Sequence, residues 1–297
     1  MSSSGLRGMG VALTTPFDTT MAVDYDVLDR HVDMLVDCGA DYIVALGTTA
    51  ETPTLSHDEK VAVAHRVLDR VGGRIPVVLG MGGNCTRVLT EELRSFPRLE
   101  EAAAILSVVP YYNKPTQEGM YRHFAAVAEA SPVPVILYNI PGRTGVNMSV
   151  DTIIRLATEF PDRITGIKEA SGNMEQASLV ITRRPEGFLV ISGDDSLAHT
   201  MIGLGGDGVI SVVGNAYPRE FSEMIHVSLD PERHDEAAAM HQKFSAFYSL
   251  LFRDGNPSGI KALMHCLMPD YEEVLRLPLV PVSEPVRRAI HAEAAKM

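Results

Sequence analysis

Apolar residues in this chain gather into short, nearly continuous runs, and longer stretches with helical spacing separate the runs. The runs are Gly8–Ala12, Tyr42–Leu46, Pro76–Leu79, Ala104–Val109, Val135–Tyr138, Ile164–Lys168, Phe188–Ser192 and Gly208–Val212. Runs with so little polar alternation suit strands buried on both faces, as in a parallel sheet. The intervening stretches read as amphipathic helices. Leu28, Val32 and Leu35 repeat at helical spacing and stop at Gly39. Ser56 and Glu59 have capping-box spacing, followed by Val61, Ala64 and Leu68, with Gly72 as the stop. Eight such alternations predict an α/β fold, a (β/α)8 TIM barrel over residues 1–230. A doubly wound open sheet competes, but its G-x-G-x-x-G turn is missing where Leu13-Thr-Thr-Pro-Phe17 follows the first run. After Val212 the spacing is helical only, at Pro218–Leu229, Asp235–Phe252, Pro257–Leu267 and Glu284–Lys296. The first of these closes the barrel. The rest, residues 231–297, form a C-terminal all-helical region packed on the barrel or on a partner subunit.

Composition narrows the function classes. With 297 residues, 45% hydrophobic and 22% charged, the chain can bury a large core. A net charge of −12 and a pI near 5.3 argue against nucleic acid or an anionic membrane as partner, because both require a basic face. No apolar run approaches the roughly 18 residues of a membrane span, and Met1 to Met9 lacks a signal-peptide pattern, so a cytoplasmic protein is expected. Cys38, Cys85 and Cys266 show no C-x-x-C spacing and read as reduced thiols.

In a barrel of this kind the chemistry lies at the C-terminal strand ends. Pooling the residues there gives Thr14 and Thr15, Gly47-Thr-Thr-Ala-Glu51, Tyr111-Tyr-Asn113, Tyr138-Asn-Ile-Pro-Gly-Arg143, Lys168, Gly193-Asp-Asp195, Ile210 and Asn215. None of the ten histidines falls at a strand end, which weakens a metal-dependent aldolase or hydrolase; no metal or cofactor is expected. Of the six lysines only Lys168 closes an apolar strand; Lys60, Lys243, Lys261 and Lys296 fall in helical patterns and Lys114 in a loop. A lysine held away from water and acids keeps more of the neutral amine that attacks carbonyls. A lysine that merely rims a sheet and reaches solvent is the alternative. Hydroxyls of Tyr138, Thr48 and a second tyrosine suit proton relay, although any one of them alone reads as core filler. Gly47-Thr48-Thr49 suits a carboxylate, and the planar fork of Arg143 suits a second one; the alternatives are an ordinary capped turn and a surface ion pair. Gly203-Leu-Gly-Gly-Asp-Gly208 precedes the eighth strand, the wrong end for a phosphate cradle, and reads as packing.

Four stretches, Gly47–Leu55, Pro110–Gly119, Leu137–Gly145 and Gly166–Asn173, together with Ser192-Gly-Asp-Asp195, Gly208-Val-Ile-Ser211 and Asn256-Pro257 with Lys261, resemble the dihydrodipicolinate synthase family. This family belongs to the pyruvate-dependent class I lyases, which also hold N-acetylneuraminate lyase and keto-deoxy sugar-acid aldolases. The resemblance implies a synthase of lysine and diaminopimelate biosynthesis that condenses pyruvate with L-aspartate 4-semialdehyde. It implies Lys168 as Schiff-base lysine, Tyr138 as proton-transfer tyrosine, and Thr48 as relay to Tyr112 of a neighbouring subunit. Thr49 would bind the pyruvate carboxylate, Arg143 the semialdehyde carboxylate, and Gly193 and Ile210 would line the pyruvate pocket. A homo-oligomer, a homotetramer of tight dimers, is implied as well. Ala50 departs from the family's usual glycine, so the turn must use ordinary backbone angles there. A sister lyase acting on a sugar acid would keep Lys168 and Tyr138 without a use for Arg143. In a non-catalytic effector-binding barrel Lys168 would be unreactive.

Overall fold

In the computed structural model, which describes residues 3–297, eight parallel strands close into a barrel. They are β1 (Gly8–Ala12), β2 (Tyr42–Ala45), β3 (Val77–Gly80), β4 (Ala104–Val108), β5 (Val135–Asn139), β6 (Ile164–Glu169), β7 (Leu189–Ser192) and β8 (Gly208–Ser211). Each pairs with the next in sequence, and β8 pairs with β1. The expected barrel is present, with no strand end displaced by more than one residue from the sequence reading. One displacement matters: β6 continues past Lys168 to Glu169.

Strand alternation divides the core in two. Ala12, Val44, Val78, Leu106, Ile136, Tyr138, Ile191 and Ile210 share a cluster that fills the barrel. Met9, Val11, Ile43, Leu79, Ile105, Leu137, Ile167, Val190 and Val209 join the larger cluster between strands and helices. The helix His57–Val71 begins as its sequence demands: Ser56 caps Glu59, Glu59 reaches back to Ser56, and Gly72 ends it at φ 55°. Gly208 is required for closure of the barrel, since a Cβ there would lie 1.9 Å from the Gly8 carbonyl oxygen. The glycine-rich stretch before β8 is therefore packing, as its position suggested.

The helix Pro218–Ser228 completes the barrel, and the remaining helices follow it. The stretch expected as a single helix over Asp235–Phe252 is two, His234–Lys243 and Ser245–Arg253. Buried Phe244 at the break packs edge-on to Phe221 at 5.1 Å and against Tyr217 at 6.1 Å, so tertiary packing overrides a continuous helical pattern. The next helix, Ser258–Leu267, lies in the core with Lys261 fully buried. Tyr271 reaches back to donate from its hydroxyl to Thr14 Oγ1 at 2.6 Å. Among the described residues no helix is long and apolar enough to cross a membrane.

Candidate active site

The parallel register sets Tyr138 of β5 beside Lys168 of β6, and Lys168 beside Ile191 of β7. Even-numbered residues of β5 face the barrel interior, so this register turns both candidate side chains inward. Lys168 Nζ lies 4.5 Å from the centroid of the Tyr138 ring, and both residues are only 6% exposed. Among the described residues, Lys168 makes no hydrogen bond or ion pair. Gly193 closes the space behind it: a Cβ there would stand 2.5 Å from Ala170 Cβ and 3.1 Å from Lys168 Cε. Ile210, 1% exposed, belongs to the same interior cluster as Tyr138. The result is a buried, unpaired amine flanked by a phenol and apolar walls, a setting that suits addition to a carbonyl carbon.

The turn after β2 supplies the hydroxyls. Thr48–Ala50 form one 3-10 turn, and the left-handed conformation falls on Glu51, at φ 55°, rather than on Ala50. Alanine in place of glycine therefore carries no backbone strain. Thr15 Oγ1 donates to the Ala50 carbonyl at 2.8 Å, and Thr52 Oγ1 donates to the Gly47 carbonyl at 2.8 Å, closing the turn. Thr49 is buried, and its Oγ1 accepts from Asn256 Nδ2 at 3.0 Å. With the oxygen so engaged, the Thr49 proton is left to donate, which suits an anion. Thr48 is half-buried on the same turn.

Arg143 lies on the single helical turn Pro141–Thr144 that follows β5. It is exposed, and its Nη2 donates to the Asn256 carbonyl at 3.3 Å. Asn256 thus contacts both anion-binding candidates. Tyr112 is not gathered into this cluster: its side chain is 88% exposed and its φ is 72°, in the left-handed region that tyrosine rarely occupies. Its N–H donates to the Thr144 carbonyl at 3.4 Å, and Asn84 Nδ2 donates to the neighbouring Tyr111 carbonyl at 3.2 Å.

Residues 5–297 match the Dihydrodipicolinate synthetase family. The chain belongs to that family. It is 52% identical over 281 residues to the 4-hydroxy-tetrahydrodipicolinate synthase of Parabacteroides distasonis, covering 95% of this chain and 93% of the relative. Dihydrodipicolinate synthase from Aquifex aeolicus superposes with a TM-score of 0.92 at 40% identity, covering 98% of this chain and 97% of the other. A solved monomeric dihydrodipicolinate synthase variant superposes at 0.94 with 35% identity and 99% coverage of both chains. Within this synthetase family fold, three residues beside the site carried no site role in the sequence reading: Asn256, Glu51 and Lys261. Glu51 and Lys261 form a fully buried ion pair at 2.5 Å behind the Thr48–Thr49 turn. Lys261 also donates to the Val274 carbonyl at 2.9 Å. The available signal was a lysine in an otherwise apolar helical stretch, which spacing alone cannot separate from a snorkelling one.

Proposed function

We propose that this chain condenses pyruvate with L-aspartate 4-semialdehyde, the reaction of 4-hydroxy-tetrahydrodipicolinate synthases. The observation that carries the reading is the unpaired, buried Lys168 amine in register with Tyr138 at the end of β6. The Lys168 amine adds to the pyruvate ketone, and loss of water gives an iminium. The iminium draws electrons from the methyl carbon, which loses a proton to give an enamine. Tyr138, with Thr48 as relay and Tyr112 from a second copy, moves the protons in these steps. The enamine carbon adds to the aldehyde, whose oxygen takes up a proton. The amine of the semialdehyde then closes on the iminium carbon and displaces Lys168, regenerating the free amine and releasing the cyclic product. Thr49 holds the pyruvate carboxylate and Arg143 that of the semialdehyde. Gly193 and Ile210 wall the pyruvate pocket.

The assignment of Tyr112 to another subunit's site makes the working form a homo-oligomer, which we propose to be a tetramer of dimers acting in the cytoplasm. Its support is the exposed, conformationally strained tyrosine, which has no place in its own chain's cluster. Two measurements test the function. Borohydride reduction in the presence of pyruvate should inactivate the protein and add mass to the peptide containing Lys168; labelling elsewhere, or none, removes the nucleophile assignment. Turnover should then appear with aspartate semialdehyde and not with N-acetylmannosamine as the second substrate.

A further inference from the structure

The register that sets Lys168 against Tyr138 also sets Glu169 against Asn139, one residue on and facing the opposite side of the sheet. Glu169 is 2% exposed and Asn139 is fully buried. Among the described residues Glu169 has no cationic partner. Three N–H donors hold its carboxylate instead: Asn139 Nδ2 at 3.0 Å and Gln176 Nε2 at 3.1 Å on Oε2, and the Ser171 N–H at 2.6 Å on Oε1. Both carboxylate oxygens are therefore required. A neutral carboxamide there would turn its NH2 toward at least one of those donors in either orientation.

The same side chains close the neck of the segment that carries Arg143. Asn139 Nδ2 also donates to Asn147 Oδ1 at 2.8 Å, and Asn139 Oδ1 accepts from the Met148 N–H at 3.0 Å. Asn147 Nδ2 donates to Gln176 Oε1 at 2.7 Å. The chain leaves β5 at Asn139, carries Arg143 on its single turn and returns at Asn147. The first end, Asn139, bonds the residue directly after the lysine, and the second, Asn147, reaches it through Asn139 and Gln176.

We propose that Glu169 is a positioning residue for the second substrate, the hub through which the strand bearing Lys168 fixes the Arg143 turn. The inference rests on Arg143 binding the semialdehyde carboxylate, and it adds the device that sets its distance from the nucleophile. Polar networks of this kind are stiff when every member is satisfied and loosen together when one fails. Loosening the neck should thus weaken the second substrate and leave pyruvate addition almost intact.

The test compares Glu169→Gln, Asn147→Ala and Arg143→Ala, with the doubles Glu169→Gln/Arg143→Ala and Asn147→Ala/Arg143→Ala, in steady-state kinetics and in borohydride trapping with pyruvate alone. Asn147 is exposed, so its truncation keeps the question answerable if Glu169→Gln folds poorly. Loss of one or two hydrogen bonds should raise KM for the semialdehyde by about tenfold in each of the first two variants. Trapping should stay within about twofold of the parent. In the Arg143→Ala background neither substitution should add more than about twofold, because the group they position is gone. Equal damage to trapping, or full additivity with Arg143→Ala, overturns the proposal. A large effect of Arg143→Ala with no effect of Asn147→Ala or Glu169→Gln rejects the hub alone. No effect of Arg143→Ala rejects the underlying reading of the arginine as well.

Discussion

Two buried lysines in one chain have opposite fates, and the difference lies in what surrounds each ammonium. Lys261 is neutralised by Glu51, donates to the Val274 carbonyl and lies 4.1 Å from the Phe17 ring centroid. Its amine is occupied, even though burial lowers its pKa to about 8. Lys168 has the Tyr138 ring and apolar walls for company, so its amine remains available for chemistry. The room it works in is set by Gly193. Gly193→Ala puts a methyl at 2.5 Å from Ala170 Cβ, and something must move; the lysine stem, at 3.1 and 3.2 Å, is the softer neighbour. Overpacking of this size costs about 1–3 kcal/mol. We expect pyruvate trapping at Lys168 to slow about tenfold or more while the protein stays folded. Trapping at the parental rate would mean that Gly193 does not back the nucleophile.

At the scale of elements, the turn after β2 is held from the helical tail as much as from the barrel. Asn256 grips Thr49, and the Glu51–Lys261 pair sits beneath the turn, with Glu51 also accepting from the Arg276 N–H at 3.1 Å. Removing one partner of a buried pair strands the other charge, a loss of about 3–5 kcal/mol. Lys261→Met should therefore cut the urea midpoint sharply and reduce pyruvate trapping. Glu51→Gln with Lys261→Met should recover part of the stability, and a double variant no better than the single would show that packing, rather than stranded charge, dominates. This dependence was only partly legible in the sequence. Eight strands were readable because each is apolar on both faces, and the helix at Ser56 because its cap is local. Lys168 stood out because it closes such a run, and Arg143 because it lies on the short turn after another. Lys261 did not, since a helical pattern does not report which lysine has a buried carboxylate opposite it. Glu169 was assigned no role, because it lies just past the run ending at Lys168 and faces away from the barrel interior, and strand parity becomes visible only once the register is known. The break at Phe244 was equally hidden, because no Gly or Pro marks it and the cause is an aromatic contact with Phe221.

For the molecule as a whole, assembly and acid stability follow from groups that a single site does not explain. A tyrosine 88% exposed at φ 72° is a poor arrangement for an isolated chain and a reasonable one for a residue serving a second copy. Mixing inactive Tyr112→Phe and Lys168→Ala chains should restore activity in mixed dimers, where one of the two sites regains both groups. Failure despite demonstrated subunit exchange would return Tyr112 to its own chain. The acid limb of stability is set by buried histidines. His31 is fully buried and His123 is 3% exposed, and burial pushes each down to about 4. Unfolding returns them to an ordinary value near 6.5, so between about pH 6.5 and 4 the unfolded chain binds protons that the folded chain refuses. Stability must fall as the pH falls through that window. Asp195 opposes this: burial raises its carboxyl to about 6, so the folded state takes up a proton there before the unfolded chain does. His226, raised by its hydrogen bond to Asp41, also favours the folded state in acid, but it is half-exposed and screened. Two buried histidines outweigh one aspartate, leaving a net loss on the order of 3 kcal/mol by pH 4. Below about pH 4.5, Glu59 adds to the loss, because hydrogen bonds from Arg276 hold its carboxyl near 2 in the folded state. Urea midpoints should accordingly be lower at pH 4.5 than at pH 7. His31→Gln should be less stable than the parent at pH 7, yet lose less between the two pH values, since it removes one of the protons that drive the change. Parallel pH profiles for parent and variant would show that His31 is not part of the acid response.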